Sequence, residues 1–311
     1  VKRSPLCGRS FEYFSEDPYL SGKLAAGYVR GIQSTGVAAC PKHFAVNSQE
    51  LRRMASDSIL DERTLRELYL TAFEIVVKEA KPKSIMSSYN KVNGVYANEN
   101  EHLLLDILRK EWGFEGAVVT DWGGSNDHVQ GVRNGSTLEM PSPGLGAARR
   151  LRKALDDGEV SEHTIDTRVD ELLDLVLSTD EAIRKAPRKF DEAVHHQLDR
   201  KAAAESIVLL KNEDAVLPLK HGKKITLIGD FAITPRYQGA GSSMVNPTRV
   251  DCLTDAAETA GLNLVGYCSG YERSGKPNKV YLEEAVAQAK LADVVVLCIG
   301  LDESSESEGL D

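Results

Sequence analysis

The chain has 311 residues, 41% of them hydrophobic, and 38 Lys and Arg against 47 Asp and Glu give it a formal charge of −9 at pH 7. A general nucleic-acid binder needs a basic face, so the acidic balance argues against that class. No apolar run approaches the ~18 residues that span a bilayer, and the chain is too apolar to be disordered. The length suits about two globular domains, with neither a nucleic-acid partner nor a membrane segment.

The cysteines are odd in number and follow no zinc or redox spacing. They are Cys7, Cys40, Cys252, Cys268 and Cys298. Unpaired thiols are typical of a reducing compartment, which favours a cytoplasmic location. We expect no metal and no cofactor.

Short apolar runs alternate with amphipathic stretches in the first part of the chain, a pattern typical of α/β proteins. The predicted strands are residues 36–40, 84–88 and 117–120. The predicted helices are residues 22–35, 61–79, 100–112, 144–156 and 161–185. Such alternation suits a barrel or a doubly wound parallel sheet.

A basic stretch with Pro187 then predicts a linker at 187–194, followed by a second α/β unit. Its predicted helices are residues 195–210, 251–260 and 281–291, and its predicted strands are 224–229, 264–266 and 292–300. The glycine-rich residues 239–243 lack the third glycine and the lysine of nucleotide-binding loops. We therefore expect a flexible loop there, near the domain interface.

Reactive side chains follow each predicted strand of the first part. Lys42 and His43 follow the first strand, Tyr89 the second, and Asp121 with Trp122 the third. In parallel α/β folds, functional groups gather at the carboxyl ends of strands. A lone aspartate in such a place is about as often a helix cap or turn residue, so the repetition at successive strand ends carries the functional interpretation.

Motifs in a fixed order run through nearly the whole chain. They include KRSPLCGRSFE at 2–12, KHFAVN at 42–47, MSSYN at 86–90, VVTDW at 118–122 and ESEGLD at 306–311. The series resembles glycoside hydrolase family 3 β-glucosidases. The resemblance implies a partial (β/α)8 TIM-like barrel over residues 1–186 and, after the linker, a truncated α/β sandwich over residues 195–311.

The resemblance also implies retaining hydrolysis of terminal β-D-glucosyl residues through a covalent glycosyl-aspartate. Asp121 matches the nucleophile and Glu308 the general acid/base. Retention requires the two carboxyl groups to approach to about 5–5.5 Å. Glu306 lies in the same acidic run and remains the alternative acid/base, and on composition alone the run is typical of a solvated loop.

Six residues match the family's substrate pocket: Arg9, Lys42, His43, Met86, Tyr89 and Trp122. The first three match residues that hydrogen-bond sugar hydroxyls, Tyr89 lies near the nucleophile, and Met86 lines the pocket. For Trp122 a sugar platform and core packing both remain open.

Related activities remain open as well: a β-xylosidase, another β-glycosidase of the family, or a non-catalytic glycan-binding relative. The expected partner is a β-glucoside or oligosaccharide. About three barrel units and the rest of the sandwich are expected to lie outside this chain, so we expect the chain alone to be inactive. Formation of a homo-oligomer through those regions stays open.

Overall fold

The computed structural model describes residues 1–185 and 189–311. Its contacts form two compact units, Val1–Arg188 with Asp311, and Lys189–Leu310. The start of the predicted linker, with the domain boundary at 186, lies outside the described residues. The last three residues of the predicted linker, 192–194, belong to a helix. Helices and parallel strands occur in both units, so the predicted α/β class is confirmed.

The helices of the first unit follow the predicted bounds closely, and α4 adds one that was not predicted. They are α1 (Pro18–Ser34), α2 (Glu62–Thr64), α3 (Thr71–Ala80), α4 (His128–Asn134), α5 (Gly144–Asp156) and α6 (Glu162–Lys185). Two stretches have π-type hydrogen bonding, Leu65–Leu70 between α2 and α3, and His102–Glu111. Asp17, Asp61 and Asp127 cap α1, α2 and α4 by accepting backbone N–H groups of the first turn.

The strands of the first unit are short. They are β1 (Asp57–Ser58), β2 (Ser84–Met86), β3 (Lys91–Val92), β4 (Val95–Tyr96) and β5 (Ala117–Val119). Strands β2 and β5 pair in parallel, with Ser84 opposite Ala117 and Met86 opposite Val119. A separate small sheet has the order β1-β3-β4, and none of its three strands was predicted.

The predicted strand at 36–40 is wrong, because the chain pairs with β2 only from Pro41 onward. The Met86 N–H donates to the Pro41 carbonyl at 3.0 Å, and the Phe44 N–H donates to the Met86 carbonyl at 2.8 Å. Proline has no N–H of its own to extend a ladder. A parallel bridge joins Phe44 to Ser87, so the segment that carries Lys42 and His43 still lies beside the end of β2.

The core of the first unit lies around these strands. Ile85 on β2 and Val118 on β5 have no exposed surface, as expected for parallel strands covered on both faces. The Phe44 ring meets the rings of Phe73 and Trp112 edge-on, with centroids 5.2 and 6.0 Å apart. This packing fixes the chain at the point where the first reactive segment leaves the sheet.

Helix α6 contacts the β5 region through buried charge. Glu171 pairs with Arg109 at 2.8 Å and with Arg168 at 2.9 Å, and it accepts the Thr137 hydroxyl at 2.6 Å. Burial lowers the pKa of Arg109 to about 10 and raises the pKa of Glu171. Breaking one of these pairs would leave a buried charge without a partner, which is strongly destabilising. The network therefore stabilises the packing of α6 against the turn after α4.

The second unit contains a parallel sheet of three strands, in the order β7-β6-β8. The strands are β6 (Lys224–Ile228), β7 (Asn263–Cys268) and β8 (Val294–Leu297), and the helices are α7 (Glu192–Ser206), α8 (Leu253–Thr259) and α9 (Lys279–Ala289). Ile225 and Leu227 on the central strand form its core with Ala232. The predicted helix at 195–210 ends at Ser206, and the apolar residues 207–210 are exposed.

All five cysteines are free thiols. Among the described helices, none combines the length and the apolarity that a membrane crossing needs.

The close approach of β6 and β8 yields a stability prediction. A Cβ on Gly229, which has φ +124°, would lie 2.1 Å from the Cys298 carbonyl oxygen, whereas a Cβ on Gly222, with φ +81°, would meet nothing within 4 Å. We expect Gly222→Ala to cost roughly 1 kcal/mol of unfolding free energy from backbone strain, and Gly229→Ala roughly 2–4 kcal/mol because the clash adds to it. Urea titration of both variants measures the difference, and equal costs would contradict the prediction.

Candidate active site

Asp121 lies directly after β5 and is the carboxylate at the centre of the candidate site. Its side chain is largely buried, and the Trp122 N–H donates to Oδ1 at 2.8 Å. Its Oδ2 lies 3.5 Å from Nε2 of His43. Within the described part of the chain, neither of these two buried atoms has a hydrogen-bond partner. The geometry thus leaves one carboxylate oxygen fixed and the other facing an imidazole.

His43 is buried and its orientation is set from the other side of the ring. The Tyr13 hydroxyl lies 2.8 Å from Nδ1. Burial, with the nearby cations Arg9 and Lys42, holds the pKa of His43 well below 6.5, so the ring is neutral at pH 7. When Tyr13 donates to Nδ1, the single ring proton sits on Nε2 and faces Asp121.

Tyr89 and Trp122 form the aromatic part of the site. The Tyr89 hydroxyl donates to the Trp122 carbonyl oxygen at 3.0 Å, which connects the end of β2 to the turn after β5. The Arg53 guanidinium lies 4.5 Å from the centre of the Tyr89 ring. Trp122 itself is 57% exposed, which disfavours core packing and leaves its ring accessible to a ligand.

The other predicted pocket residues differ in their surroundings. Arg9 is buried, and its Nη2 and Nε lie 2.6 and 2.8 Å from Oε2 of Glu12. Lys42 is exposed, and Met86 is partly buried at the end of β2. The structure therefore brings His43, Tyr89, Trp122 and Asp121 into direct contact, whereas Arg9 and Lys42 act on His43 through their charge.

The loop that follows His43 holds residues that the sequence analysis missed. Arg53 Nη1 pairs with Oε2 of Glu50 at 2.7 Å, and the Asn47 amide donates to the same carboxylate at 3.3 Å. The Asp311 carboxylate accepts the backbone N–H groups of Glu50 and Leu51, at 2.9 and 2.8 Å. Burial raises the pKa of Asp311, but these donors outweigh it and lower the pKa overall. The three-residue spacing of Glu50 and Arg53 was the one available signal.

Glu308 belongs to the second unit, where the glycine-rich loop surrounds it. The Ser242 N–H donates to Oε2 of Glu308 at 2.7 Å, and the Ser242 hydroxyl contacts the same oxygen. The Glu308 N–H donates to the Ala240 carbonyl at 3.1 Å. Loop 239–243 is therefore bonded to the predicted acid/base, a role that its sequence did not indicate.

Glu306 has different surroundings. Its Oε2 pairs with Arg236 Nη1 at 2.6 Å, and its backbone carbonyl accepts Arg236 Nη2 at 2.7 Å. Arg236 also donates to the Leu301 carbonyl at 3.2 Å. Glu306 is thus engaged in closing the acidic loop. Across the described residues, no three His, Cys, Asp or Glu side chains converge as a metal site would require.

Two family models match the chain. The glycosyl hydrolase family 3 N-terminal domain matches residues 1–175, and the glycosyl hydrolase family 3 C-terminal domain matches residues 207–311.

Curated relatives and solved structures match over the full chain. The thermostable β-glucosidase B of Acetivibrio thermocellus is 49% identical over all of this chain and 42% of that protein. An exo-α-(1→6)-L-arabinopyranosidase of Bifidobacterium breve is 44% identical, again over all of this chain and 42% of that protein. The crystal structure of a Bifidobacterium adolescentis β-glucosidase superposes on the whole chain with a TM-score of 0.94 at 44% identity, over 46% of its own length. The chain thus spans less than half the length of these relatives.

The buried neutral His43 yields a pH prediction. The pKa of His43 is lower in the folded than in the unfolded protein. Below pH 6.5 the imidazole is therefore protonated in the unfolded state but stays neutral in the folded state. Its contribution to stability is therefore present above that pH and is lost as the pH falls. Each unit by which the folded pKa is lower corresponds to about 1.4 kcal/mol.

We expect His43→Asn to flatten the decline of the unfolding free energy between pH 7.5 and pH 5. His163→Asn, on the exposed face of α6, serves as the control. Its unfolding free energy should change with pH with the same slope as that of the wild-type protein. Urea titrations at several pH values measure the slopes, and a His43→Asn slope equal to the control would refute the prediction.

Proposed function

We propose a β-glucosidase function for this chain, which belongs to glycosyl hydrolase family 3. The residues it contains serve retaining hydrolysis of terminal β-D-glucosyl residues, on a TIM-like barrel domain followed by an α/β sandwich domain. One observation carries the proposal. Asp121 is buried at a strand end with Oδ1 fixed by the Trp122 N–H, and its Oδ2 faces the neutral His43 at 3.5 Å.

Asp121 has the properties of a nucleophile in this mechanism. Its Oδ2 attacks the anomeric carbon and forms the ester bond, while the bond from that carbon to the leaving oxygen breaks. The Trp122 N–H on Oδ1 keeps the carboxylate in one orientation throughout. Water then cleaves the ester and releases the sugar with retained configuration.

The neutral imidazole of His43 suits a sugar rather than a charged substrate. The Nε2–H group of His43, which faces Asp121, donates to a sugar hydroxyl without adding a full charge beside the carboxylate. Trp122 offers an exposed aromatic face for the apolar side of a pyranose.

The contacts in the acidic loop support Glu308 rather than Glu306 as the general acid/base. A general acid must release its proton to the leaving group and take one from water in the second step. Glu306 is bonded to Arg236 twice, through its side chain at 2.6 Å and through its backbone carbonyl at 2.7 Å, so its carboxylate is engaged in closing the acidic loop. Glu308, in contrast, accepts the Ser242 N–H of the glycine-rich loop at 2.7 Å.

The identity of the nucleophile is tested by covalent labelling of the intact protein. We expect 2-deoxy-2-fluoro-β-D-glucosyl fluoride to label Asp121, because the fluorine slows hydrolysis of the ester and lets it accumulate. Asp121→Asn should abolish labelling, whereas Asp61→Asn, which alters only the cap of α2, should retain it. Peptide mass spectrometry locates the label, and a label on any other residue would overturn the assignment.

The same reagent tests the substrate class. Because the relatives named above include β-glucosidases and an arabinopyranosidase, the corresponding xylosyl and α-L-arabinopyranosyl fluorides serve as competitors. Faster labelling by the glucosyl reagent supports the proposal. Faster labelling by another one would assign that sugar, and no labelling would favour a glycan-binding protein.

The acid/base assignment is tested by chemical rescue. We expect Glu308→Ala to lose roughly 10²–10⁴-fold in turnover of aryl β-glucosides that need protonation. Azide should restore turnover of an activated substrate in this variant, because it replaces water without needing a general base. Glu306→Ala is the matched control and should show no azide rescue. Rescue of Glu306→Ala alone would transfer the role to Glu306.

A further inference from the structure

We propose that Thr120 is a positioning residue: its hydroxyl holds the turn that carries Asp121 against the backbone of Met140 and so sets the direction in which the nucleophile faces the sugar. The inference rests on the proposed function, in which Asp121 is the nucleophile. It goes beyond that function because it assigns the orientation of Asp121 to a neighbouring side chain that acts without touching the substrate.

The Thr120 hydroxyl contacts the backbone of Met140 twice. Thr120 directly follows β5 and is completely buried, and a buried hydroxyl needs hydrogen-bond partners. Its oxygen accepts the Met140 N–H at 2.8 Å, and its proton is donated to the Met140 carbonyl oxygen at 3.3 Å. The hydroxyl therefore joins the end of β5 to the neighbouring segment 137–140.

This hydroxyl takes the place of a backbone acceptor in a parallel ladder. The Leu138 N–H donates to the Val118 carbonyl at 3.0 Å, and the Thr120 N–H donates to the Leu138 carbonyl at 3.0 Å. The next bond of such a ladder would join the Met140 N–H to the Thr120 carbonyl, but this N–H donates to the side-chain hydroxyl. The backbone can thus turn away from the ladder at Asp121 while the pairing with Met140 is kept.

Met140 also holds the far side of the turn. The Gly123 N–H donates to the Met140 carbonyl oxygen at 2.8 Å, so Met140 is bonded to residues on both sides of Asp121. Between these bonds, the Trp122 N–H fixes Oδ1 of Asp121 at 2.8 Å. Without the Thr120 hydroxyl, the turn would keep the Gly123 bond to Met140 and lose the one before Asp121.

The orientation of Asp121 matters because its Oδ2 must approach the anomeric carbon in line with the bond that breaks. A shift of about 1 Å in a reacting group costs on the order of 10²-fold in rate. In the proposed function other side chains bind the sugar, so a displaced Asp121 slows the chemical step more than it weakens binding. A purely structural role of Thr120 would not produce this split between rate and affinity.

The test measures how fast 2-deoxy-2-fluoro-β-D-glucosyl fluoride labels Asp121 in the intact protein. The concentration dependence of labelling separates the rate constant of ester formation from the dissociation constant of the reagent. Thr120→Val keeps the shape of the side chain and removes the hydroxyl. We expect it to lower the rate constant roughly 10- to 100-fold, while the dissociation constant stays close to that of the wild-type protein.

Two further variants of Thr120 grade the effect. Thr120→Ser keeps the hydroxyl and should retain most of the wild-type rate constant. Thr120→Cys has a weaker acceptor in the same place, so its rate constant should lie between those of the Ser and Val variants. If Thr120→Val does not fold, the order of the Ser and Cys variants decides the test.

The second unit supplies a matched control in Thr226. This residue lies on β6, is as completely buried as Thr120, and donates its hydroxyl to the Gly266 carbonyl at 3.0 Å. Thr226→Val therefore also removes a buried hydroxyl that is bonded to the backbone, but outside the turn that carries Asp121. It should lower the melting temperature, as Thr120→Val does, and leave the rate constant of labelling at the wild-type value.

The outcomes separate the inference from the proposed function. If the wild-type protein is not labelled at Asp121, the nucleophile assignment fails and the inference fails with it. If Asp121 is labelled, a wild-type rate constant in Thr120→Val overturns the positioning role alone. An equal loss in Thr226→Val, or a loss confined to the dissociation constant, would overturn it as well.

Discussion

The candidate site of the first unit depends on the parallel alignment of three neighbouring segments. Residues 41–44 hydrogen-bond to β2, and β2 pairs with β5 over three residues. Parallel strands end at the same edge of a sheet, so His43, Tyr89 and Asp121 meet there although they are up to 78 positions apart in the chain. The buried rings of Phe44, Phe73 and Trp112 fix the first segment, and without that packing the imidazole would not face the carboxylate.

Burial then decides the charge state of the groups that meet. His43 is surrounded by cations, and burial adds to their effect, so its neutral form is favoured. Tyr13 is partly buried, and burial raises the pKa of its phenol, which keeps the proton available to Nδ1. A protonated imidazole would pair with Asp121 and weaken it as a nucleophile. The neutral ring avoids this and still provides a donor for a hydroxyl group.

Local patterns predicted most of the helices and the strands β2 and β5, because apolar runs and amphipathic periodicity are properties of short segments. The predicted strand at 36–40 is wrong because periodicity does not reveal that the hydrogen bonds to β2 start at the carbonyl of Pro41. Periodicity also does not predict side-chain contacts between distant parts of the sequence. Tyr13 and His43 are 30 positions apart, and Ser242 and Glu308 are 66 positions apart. The motif around Asp121 led to its proposed role as nucleophile, whereas the side chains that contact Asp121 and Glu308 could not be predicted from local patterns.

The two carboxylates proposed for catalysis are held in a similar way and differ in one respect. Each has one oxygen fixed by a backbone N–H, from Trp122 in one case and from Ser242 in the other, and each of these N–H groups lies beside a glycine. Backbone donors are set by the fold and move less than side chains do, so they define the geometry of a carboxylate at low entropic cost. The difference lies in the second donor. Oδ1 of Asp121 accepts the Trp122 N–H, whereas Oε2 of Glu308 accepts a hydroxyl in addition to a backbone N–H. Both donors on Glu308 come from one residue of the glycine-rich loop, so the position of this carboxylate depends on that loop, as the position of Asp121 depends on the turn after β5.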